Sequence, residues 1–180
     1  MTISSSALDQ VSIRLARDDD EIRAAQHLRY KVFYEEFGAR PSPEISAQQR
    51  DFDDFDTVAD HLVVVDERIP DPHQRIVGTY RLLRREVADR FGRFYTSSEY
   101  DIGPLLASGK TLLELGRSCV LAPYRTRPVL QLLWQGIYDY MLDHKIDLMF
   151  GCASLYGTEV KPLASQLAYL YHYHISPPGL

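Results

Sequence analysis

The sequence has 180 residues, of which 45% are hydrophobic, and its formal net charge is −5 at pH 7. This length and apolar content predict a single folded domain, residues 1–180, and exclude global disorder. The acidic balance argues against a nucleic-acid partner, because nucleic-acid-binding proteins usually carry a basic excess. No apolar run is long enough to span a bilayer and the N-terminus does not resemble a signal peptide, so we expect a cytoplasmic protein.

The first predicted elements are a strand and a long helical segment. Residues 11–16 alternate in polarity, as a strand does. Residues 18–38 begin with Asp18 as a helix cap, carry apolar side chains at helical spacing and end at Gly38, which predicts one helix or two in succession. Arg29 falls on the apolar face, where a guanidinium requires an anionic partner.

An acidic segment follows the helix. Residues 38–57 have no clear period and contain two prolines, so we expect an irregular loop that ends in the sequence RDFDDFD. Several arginines lie in other parts of the chain, including Arg84, Arg85, Arg125 and Arg127. This separation predicts an acidic pocket and a basic docking surface, although two solvated faces would give the same pattern.

The remaining elements are mostly strands and helices. Strands are expected at 60–67, 75–84, 111–121 and 146–154, helices at 128–145 and 158–174, and irregular or briefly helical chain at 86–110. Successive strands pair antiparallel, whereas the last strand–helix–strand crossover is parallel. The expected fold class is therefore α/β with a mixed central sheet and flanking helices.

The residue types that ligate metals do not form a recognisable motif. Cys119 and Cys152 each lie in a predicted strand and are expected to be buried free thiols. The pair His172 and His174 lies in a tyrosine-rich helix end, where packing and surface roles are expected. We predict no metal site.

A glycine interrupts the strand at 111–121. Strict alternation would place Glu114 and Arg117 on opposite faces, but Gly116 between them indicates a bulge, which would bring both to one face and expose backbone N–H groups. A carboxylate beside unpaired N–H donors suits acyl transfer, as a base and an oxyanion site. A structural Glu–Arg pair is an equally good interpretation of this pattern.

Three groups of residues, together with the order of elements, resemble a known family. The groups are LRYKVFYEEFG with Arg29 and Phe33, RDFDDFD with Asp51, Asp53 and Asp56, and VGTYRLLR followed by LELGRSCV with Arg81, Glu114 and Arg117. They are similar to the ornithine Nα-acyltransferases and, less closely, to the N-acyl-homoserine lactone synthases, both of the GCN5-related N-acetyltransferase (GNAT) fold. Phe37, where the lactone synthases carry tryptophan, and Asp51, where they carry glutamate, favour the ornithine branch.

The resemblance implies a function and roles for these residues. It implies transfer of a 3-hydroxylated fatty acyl chain from acyl carrier protein to the α-amine of ornithine, which yields lyso-ornithine lipid, with no cofactor and with loose membrane contact possible. Glu114, Gly116 and Arg117 would be catalytic, and the substrate-binding residues would be Arg29, Phe33, Asp51, Asp53, Asp56 and Arg81. In the alternative role, the aspartates pair with the arginines and so fasten the loop. Family members run past position 180, so we expect the C-terminal strands of the fold to be missing.

The turn at 121–130 is expected to face the acyl donor. Acetyl-CoA enzymes of this fold have glycines here, whose amides hold the pyrophosphate. This chain has Pro128 and Leu130 instead, and proline has no amide to donate. Arg125 and Arg127, with Arg84 and Arg85, would suit the single phosphate and the acidic surface of a carrier protein.

Further roles are expected for other residues, and other functions stay open. The acyl chain would be lined by Leu113, Leu115, Leu133, Trp134 and Phe150, and candidate acids for the leaving thiol are Tyr156, Tyr169 and Tyr171. Lactone synthesis is the alternative enzyme function. A non-catalytic module that binds acyl carrier protein is the alternative outside enzymes.

Overall fold

The computed structural model describes residues 10–155 and 157–177 and contains a five-stranded sheet with helices on both faces. The strands are β1 (Val11–Leu15), β2 (Asp60–Asp66), β3 (Ile76–Arg84), β4 (Leu112–Val120) and β5 (Leu148–Phe150). The helices are α1 (Asp19–Tyr30), α2 (Pro43–Gln48), α3 (Arg85–Phe91), α4 (Gly103–Ala107), α5 (Arg127–His144) and α6 (Val160–Tyr173).

The sheet has the order β1-β2-β3-β4-β5 and is mixed. The first four strands pair antiparallel, and β5 pairs parallel with β4 after the α5 crossover. This confirms the predicted α/β class with a mixed sheet. All four residues of the apolar run Leu62–Val65 are buried, because helices cover both faces of the sheet at this point.

The two faces of the sheet bury different helices. On one face, Ala25 and Leu28 of α1 pack against Val63 and Val65. On the other face, α5 packs through Ile137 and its neighbours against the opposite side of β2, β3 and β4. Residues that alternate along one strand therefore belong to two separate layers of core.

The segment between β1 and β2 is more ordered than its sequence predicts. Asp18 caps α1, as predicted, by accepting a hydrogen bond from Glu21 N at 3.0 Å. A π-helical turn at Lys31–Glu36 continues α1 toward Gly38. The predicted irregular loop is wrong at α2, which Ser42 caps by accepting from Ile45 N at 3.2 Å. A cap and one short turn are too brief to show as a period.

The C-terminal part differs most from the prediction. Strand β5 has three residues instead of the nine predicted, and Cys152 beyond it is exposed, whereas Cys119 in β4 is buried as expected. Helix α6 buries none of its residues and is the last element within the described ranges. None of the described helices combines the length and apolar composition needed to cross a bilayer.

Candidate active site

Three arginines and three aspartates from separate parts of the chain form a closed ring of ion pairs beneath α1, hereafter the charge ring. Each arginine contacts a different pair of aspartates, and each aspartate contacts a different pair of arginines. The members are Arg29, Arg81, Arg117, Asp51, Asp53 and Asp56. Their formal charges sum to zero, which is the condition under which so many charges can be withdrawn from water.

Arg29 holds the buried side of the charge ring. Its side chain is 0% exposed, its Nη2 lies 2.5 Å from Asp56 Oδ2, and its Nη1 donates to Asp56 Oδ1 at 3.1 Å. Nη2 also donates to the backbone carbonyl of Asp51, while Nε approaches Asp51 Oδ2 at 2.8 Å. The anionic partner that the sequence requires for Arg29 is therefore present.

Asp53 and Arg117 form the outward side of the charge ring. Their side chains are 25% and 27% exposed, and Arg117 Nη2 donates to Asp53 Oδ2 at 3.1 Å. Arg81 Nη1 bridges inward, donating to Asp53 Oδ1 at 2.5 Å and to Asp56 Oδ1 at 2.9 Å. A polar ligand approaching from solvent would meet Asp53 and Arg117 first.

The charge ring shifts the pKa values of Asp56 and Arg117 toward their charged forms. Burial by itself would raise the pKa of Asp56, but Arg29 and Arg81 outweigh it and hold that pKa well below its usual range. Burial would lower the pKa of Arg117, but Asp51 and Asp53 raise it. Asp56 is consequently an anion at any physiological pH and is occupied by its partners.

Three residues that the sequence analysis did not single out complete the polar shell. Gln26 Nε2 donates to Asp56 Oδ2 at 3.0 Å, and Tyr34 donates its hydroxyl proton to Asp51 Oδ1 at 2.9 Å. Buried His61 places Nε2 3.2 Å from the Asp56 carbonyl. Gln26 and Tyr34 lie on the same helical segment as Arg29, at spacings of three and five residues, and this spacing is the signal that could have found them.

The predicted bulge in β4 is present. Opposite Arg81 and Thr79, which have one residue between them, β4 places Gly116 and Cys119, which have two. The extra residue accompanies a φ of +50° at Arg117, a conformation that non-glycine residues rarely adopt. The bulge turns the Arg117 side chain toward Asp51 and Asp53, on the face of the sheet that also carries Glu114.

Glu114 lies on the predicted face but has structural partners. It is 4% exposed, and its two oxygens accept hydrogen bonds from Tyr95 N at 2.9 Å and Thr96 N at 2.6 Å. It is not paired with Arg117. Backbone donors leave no pattern of residue types, so the sequence could not identify these partners.

The strand edge beyond Glu114 is free of β5. The pairing of β4 with β5 ends at Glu114 and Phe150, and no other described strand continues it along residues 115–120. Gly151 follows at once, where an added Cβ would stand 2.2 Å from the Leu115 carbonyl oxygen. The segment after β5 therefore touches β4 at Leu115 and does not pair with it further on. This leaves an edge of β4 with unpaired backbone groups next to the bulge.

The residues expected to line the acyl chain do not share one cleft. Leu113 and Leu133 are core residues on the α5 face of the sheet, and Trp134 is 48% exposed on the outer side of α5. Phe150 packs on the opposite face against Phe94, with ring centroids 5.0 Å apart. Phe33, which was expected to bind the substrate, is half-buried and packs against the core residues of α1.

The turn before α5 is held by contacts at both ends. Tyr124 donates to Asp66 Oδ2 at 2.6 Å, and Arg125 donates through both terminal nitrogens to Glu36 at 2.5 and 2.6 Å. Arg127 is exposed and has no charged partner within the described residues. Thr126, the residue before α5, has a buried hydroxyl without a hydrogen-bond partner in the described part of the chain.

The four arginines of the predicted basic docking surface do not lie side by side. Arg84 contacts Glu86 and also His144, the last residue of α5. Arg85 contacts Asp89 and the Leu106 carbonyl. Arg127 is the first residue of the same 18-residue helix. The two pairs of arginines are therefore separated by roughly 25 Å, because each helical residue advances about 1.5 Å.

The other candidate residues lie away from the charge ring or have no role visible there. Tyr169 and Tyr171 are exposed on α6, and Tyr156 lies outside the described residues. Burial raises the pKa of the Cys119 thiol to about 12, so it is not a thiolate. Within the described ranges, no group of three or more His, Cys, Asp or Glu side chains has an arrangement that could hold a metal ion.

Comparisons with known proteins agree with this architecture. Residues 28–135 match the family model described as an acetyltransferase (GNAT) domain. The solved structure of FeeM, an N-acyl amino acid synthase from uncultured soil microbes, superposes with a TM-score of 0.59 at 15% identity and covers 89% of this chain and 76% of that one. A likeness at that identity concerns the fold alone.

Sequence relatives are closer. The L-ornithine N(alpha)-acyltransferase of Rhodobacter capsulatus is 49% identical over 170 residues, which are 93% of this chain and 65% of the relative. That of Rhizobium meliloti is 51% identical over 162 residues, 88% of this chain and 55% of the relative. The chain thus spans roughly 55–65% of the length of these curated relatives. With a family model matching more than half of its residues, the chain belongs to the acetyltransferase (GNAT) domain family.

Proposed function

We propose that the protein is an N-acyltransferase that moves a 3-hydroxy fatty acyl chain from acyl carrier protein to the α-amino group of ornithine and so forms lyso-ornithine lipid. The observation that carries this proposal is the identity of about one half, over most of this chain, to proteins named L-ornithine N(alpha)-acyltransferase. The charge ring supports it independently, because it is a polar site suited to an amino acid.

The outward side of the charge ring would bind the acceptor. Ornithine presents a carboxylate and two ammonium groups. Arg117 would bind the carboxylate through Nη1, since Nη2 and Nε already face Asp53 and Asp51. Asp53, which is partly exposed, would attract the side-chain ammonium. Arg29, Asp51, Asp56 and Arg81 are buried and paired, so their share is to hold Asp53 and Arg117 in place.

The acyl transfer would proceed by direct attack. The α-ammonium loses a proton to solvent, which reaches this side of the ring, and the amine lone pair forms a C–N bond with the thioester carbonyl carbon. The tetrahedral intermediate places its oxyanion on the β4 edge beside Gly116, where β5 no longer pairs. Collapse breaks the C–S bond, the nitrogen releases its second proton, and the thiolate takes one up.

A carrier protein suits the donor side better than free coenzyme A does. Pro128 removes one amide from the first turn of α5, and Arg125 is engaged by Glu36, which leaves Arg127 as the nearby exposed cation. One phosphate on a pantetheine arm needs fewer donors than a pyrophosphate. The remaining attraction would come from the acidic carrier itself, and release of the lipid product would bring the protein to a membrane surface.

The proposal is tested with purified chain, L-ornithine and either acyl carrier protein or coenzyme A loaded with the same 3-hydroxyacyl group. We expect mass spectrometry to find N-acylornithine, with fragmentation placing the acyl group on the α-nitrogen, and higher kcat/KM with the carrier protein. Turnover of S-adenosylmethionine instead would indicate lactone synthesis. Carrier binding with no turnover of any acceptor would indicate a binding module.

A further inference from the structure

Tyr95 lies over the outward side of the charge ring, although no sequence motif marks it. The centroid of its ring is 5.1 Å from Cζ of Arg117 and 5.9 Å from Cζ of Arg81. These are the two arginines that share Asp53. The ring therefore contacts the part of the network that solvent can reach.

The position of Tyr95 is set by contacts on both sides of it in the chain. Phe94 is 2% exposed and packs edge-on against Phe150, and Thr96 is buried. Between them, the backbone N–H groups of Tyr95 and Thr96 both donate to the carboxylate of Glu114. A buried carboxylate that accepts two backbone hydrogen bonds is a rigid attachment, because each donor would otherwise lose its partner.

The guanidinium of Arg117 needs such support. Its backbone is in the left-handed region, its side chain is 27% exposed, and it interacts with Tyr95 as well as with Asp51 and Asp53. An aromatic ring at this distance attracts the guanidinium and restricts its plane. The restriction limits the orientations open to Nη1, the nitrogen that neither ion pair with an aspartate uses.

We propose that Tyr95 is a positioning residue of the acceptor site, whose ring orients Arg117 toward the carboxylate of the incoming amino acid, and that Glu114 acts through Tyr95. The proposal rests on the proposed function. It assigns Glu114 the task of holding the Tyr95–Thr96 backbone, in place of removing a proton from the substrate.

The first test compares two variants of Tyr95. Tyr95→Leu removes the ring and is expected to raise KM for L-ornithine about tenfold, in keeping with the usual strength of an arginine–aromatic contact, while KM for the acyl donor changes less than about twofold. Tyr95→Phe keeps the ring and is expected to have a KM for L-ornithine much closer to the wild-type value than that of Tyr95→Leu. Tyr100→Leu, at an exposed tyrosine nearby in the chain, is the matched control. Equal changes in both KM values, or no change, would overturn the proposal.

The second test separates positioning from proton transfer at Glu114. Glu114→Gln keeps one acceptor oxygen, so one backbone N–H loses its partner and Tyr95 is less firmly held. We expect KM for L-ornithine to rise as it does in Tyr95→Leu, with the pH dependence of kcat unchanged. A large fall in kcat with loss of the acidic limb of the pH profile would identify Glu114 as the base and reject its assignment here.

A binding measurement keeps this proposal distinct from the proposed function. Calorimetry of L-ornithine and of putrescine, which lacks the carboxylate, is made on the wild-type chain and on Tyr95→Leu. We expect the Kd of L-ornithine to rise about tenfold in the variant and that of putrescine to stay constant. Binding without turnover would reject the proposed function, and the Kd values of the two ligands would still decide the role of Tyr95. Absence of L-ornithine binding to the folded wild type would reject both.

Discussion

Arg29 and Asp56 form a two-point ion pair between residues 27 apart in the sequence, with Nη2 2.5 Å from Oδ2 and Nη1 3.1 Å from Oδ1. The pair joins α1 to the segment that precedes β2, and both side chains are buried. A buried pair of this kind contributes little net free energy compared with apolar residues, but breaking it leaves one charge without a partner. The pair therefore makes the stability of the fold sensitive to single substitutions in the charge ring.

Replacing Arg29 with methionine tests this sensitivity. Arg29→Met should lower the free energy of unfolding by about 3–5 kcal/mol, because Asp56 and Asp51 stay buried while losing a cation. Denaturant unfolding followed by circular dichroism measures the effect. The control is Arg23→Met on the same helix, whose ion pair with Asp20 is exposed and should matter little. Similar losses in the two variants would contradict the assigned role of burial.

His61 should make stability depend on pH near neutrality. Burial lowers the pKa of His61, with Arg29 and Arg81 acting in the same direction and Asp56 opposing them. The unfolded chain, with a pKa of about 6.5, then binds more protons than the folded chain, so stability falls as pH drops below about 6.5 and levels off below the folded pKa.

The variant His61→Gln isolates this contribution, since its amide can still donate to the Asp56 carbonyl. We expect the free energy of unfolding of the wild type to decrease between pH 7 and pH 5 and that of the variant to be flatter over the same range. His27→Gln, at an exposed histidine of α1, serves as the control. A wild-type slope that survives in His61→Gln would show that another group titrates.

Replacement by alanine should lower the stability of the protein at Gly151 but not at Gly116. A Cβ at Gly151 would stand 2.2 Å from the Leu115 carbonyl oxygen, whereas a Cβ at Gly116 would have nothing within 4 Å. Gly151→Ala should therefore displace the chain that leaves β5 and cost about 1–3 kcal/mol, as overpacking does. Gly116→Ala should not lower the melting temperature. Equal thermal stability of the two variants would argue against a close contact between the strands.

The parts of the fold that follow from local patterns were predictable. Alternation and apolar runs located the strands, Asp18 located the start of α1, and Gly116 inside a strand predicted the bulge. The requirement that a buried arginine be paired also predicted an anionic partner for Arg29. Each of these rests on a residue type acting within its own segment or on a strict electrostatic cost.

The parts that depend on long-range geometry were not predictable. The carboxylate of Glu114 binds backbone N–H groups, which any residue could supply, and Tyr95 reaches the site through a segment without periodicity. The arginines of the expected docking surface are divided because Arg84 ends β3 while Arg127 begins α5. Charge clusters in a sequence do not specify which end of an element they occupy.

The separation of these arginines leads to a prediction about the acyl donor. Arg127 is exposed without a charged partner in the described residues, whereas Arg125 is bound to Glu36 and lies over the ring of Phe37 at 5.2 Å. A phosphate at the start of α5 would therefore draw on Arg127 before Arg125. We expect Arg127→Gln to raise KM for acyl carrier protein severalfold and to weaken its salt dependence, with KM for L-ornithine unchanged.

Two other arginines provide the controls for this prediction. Arg125→Gln should act mainly on stability, and Arg84→Gln, at the other end of α5, should leave the donor KM unaltered. Equal effects of Arg84→Gln and Arg127→Gln on the donor KM would mean that the carrier protein contacts both ends of the helix.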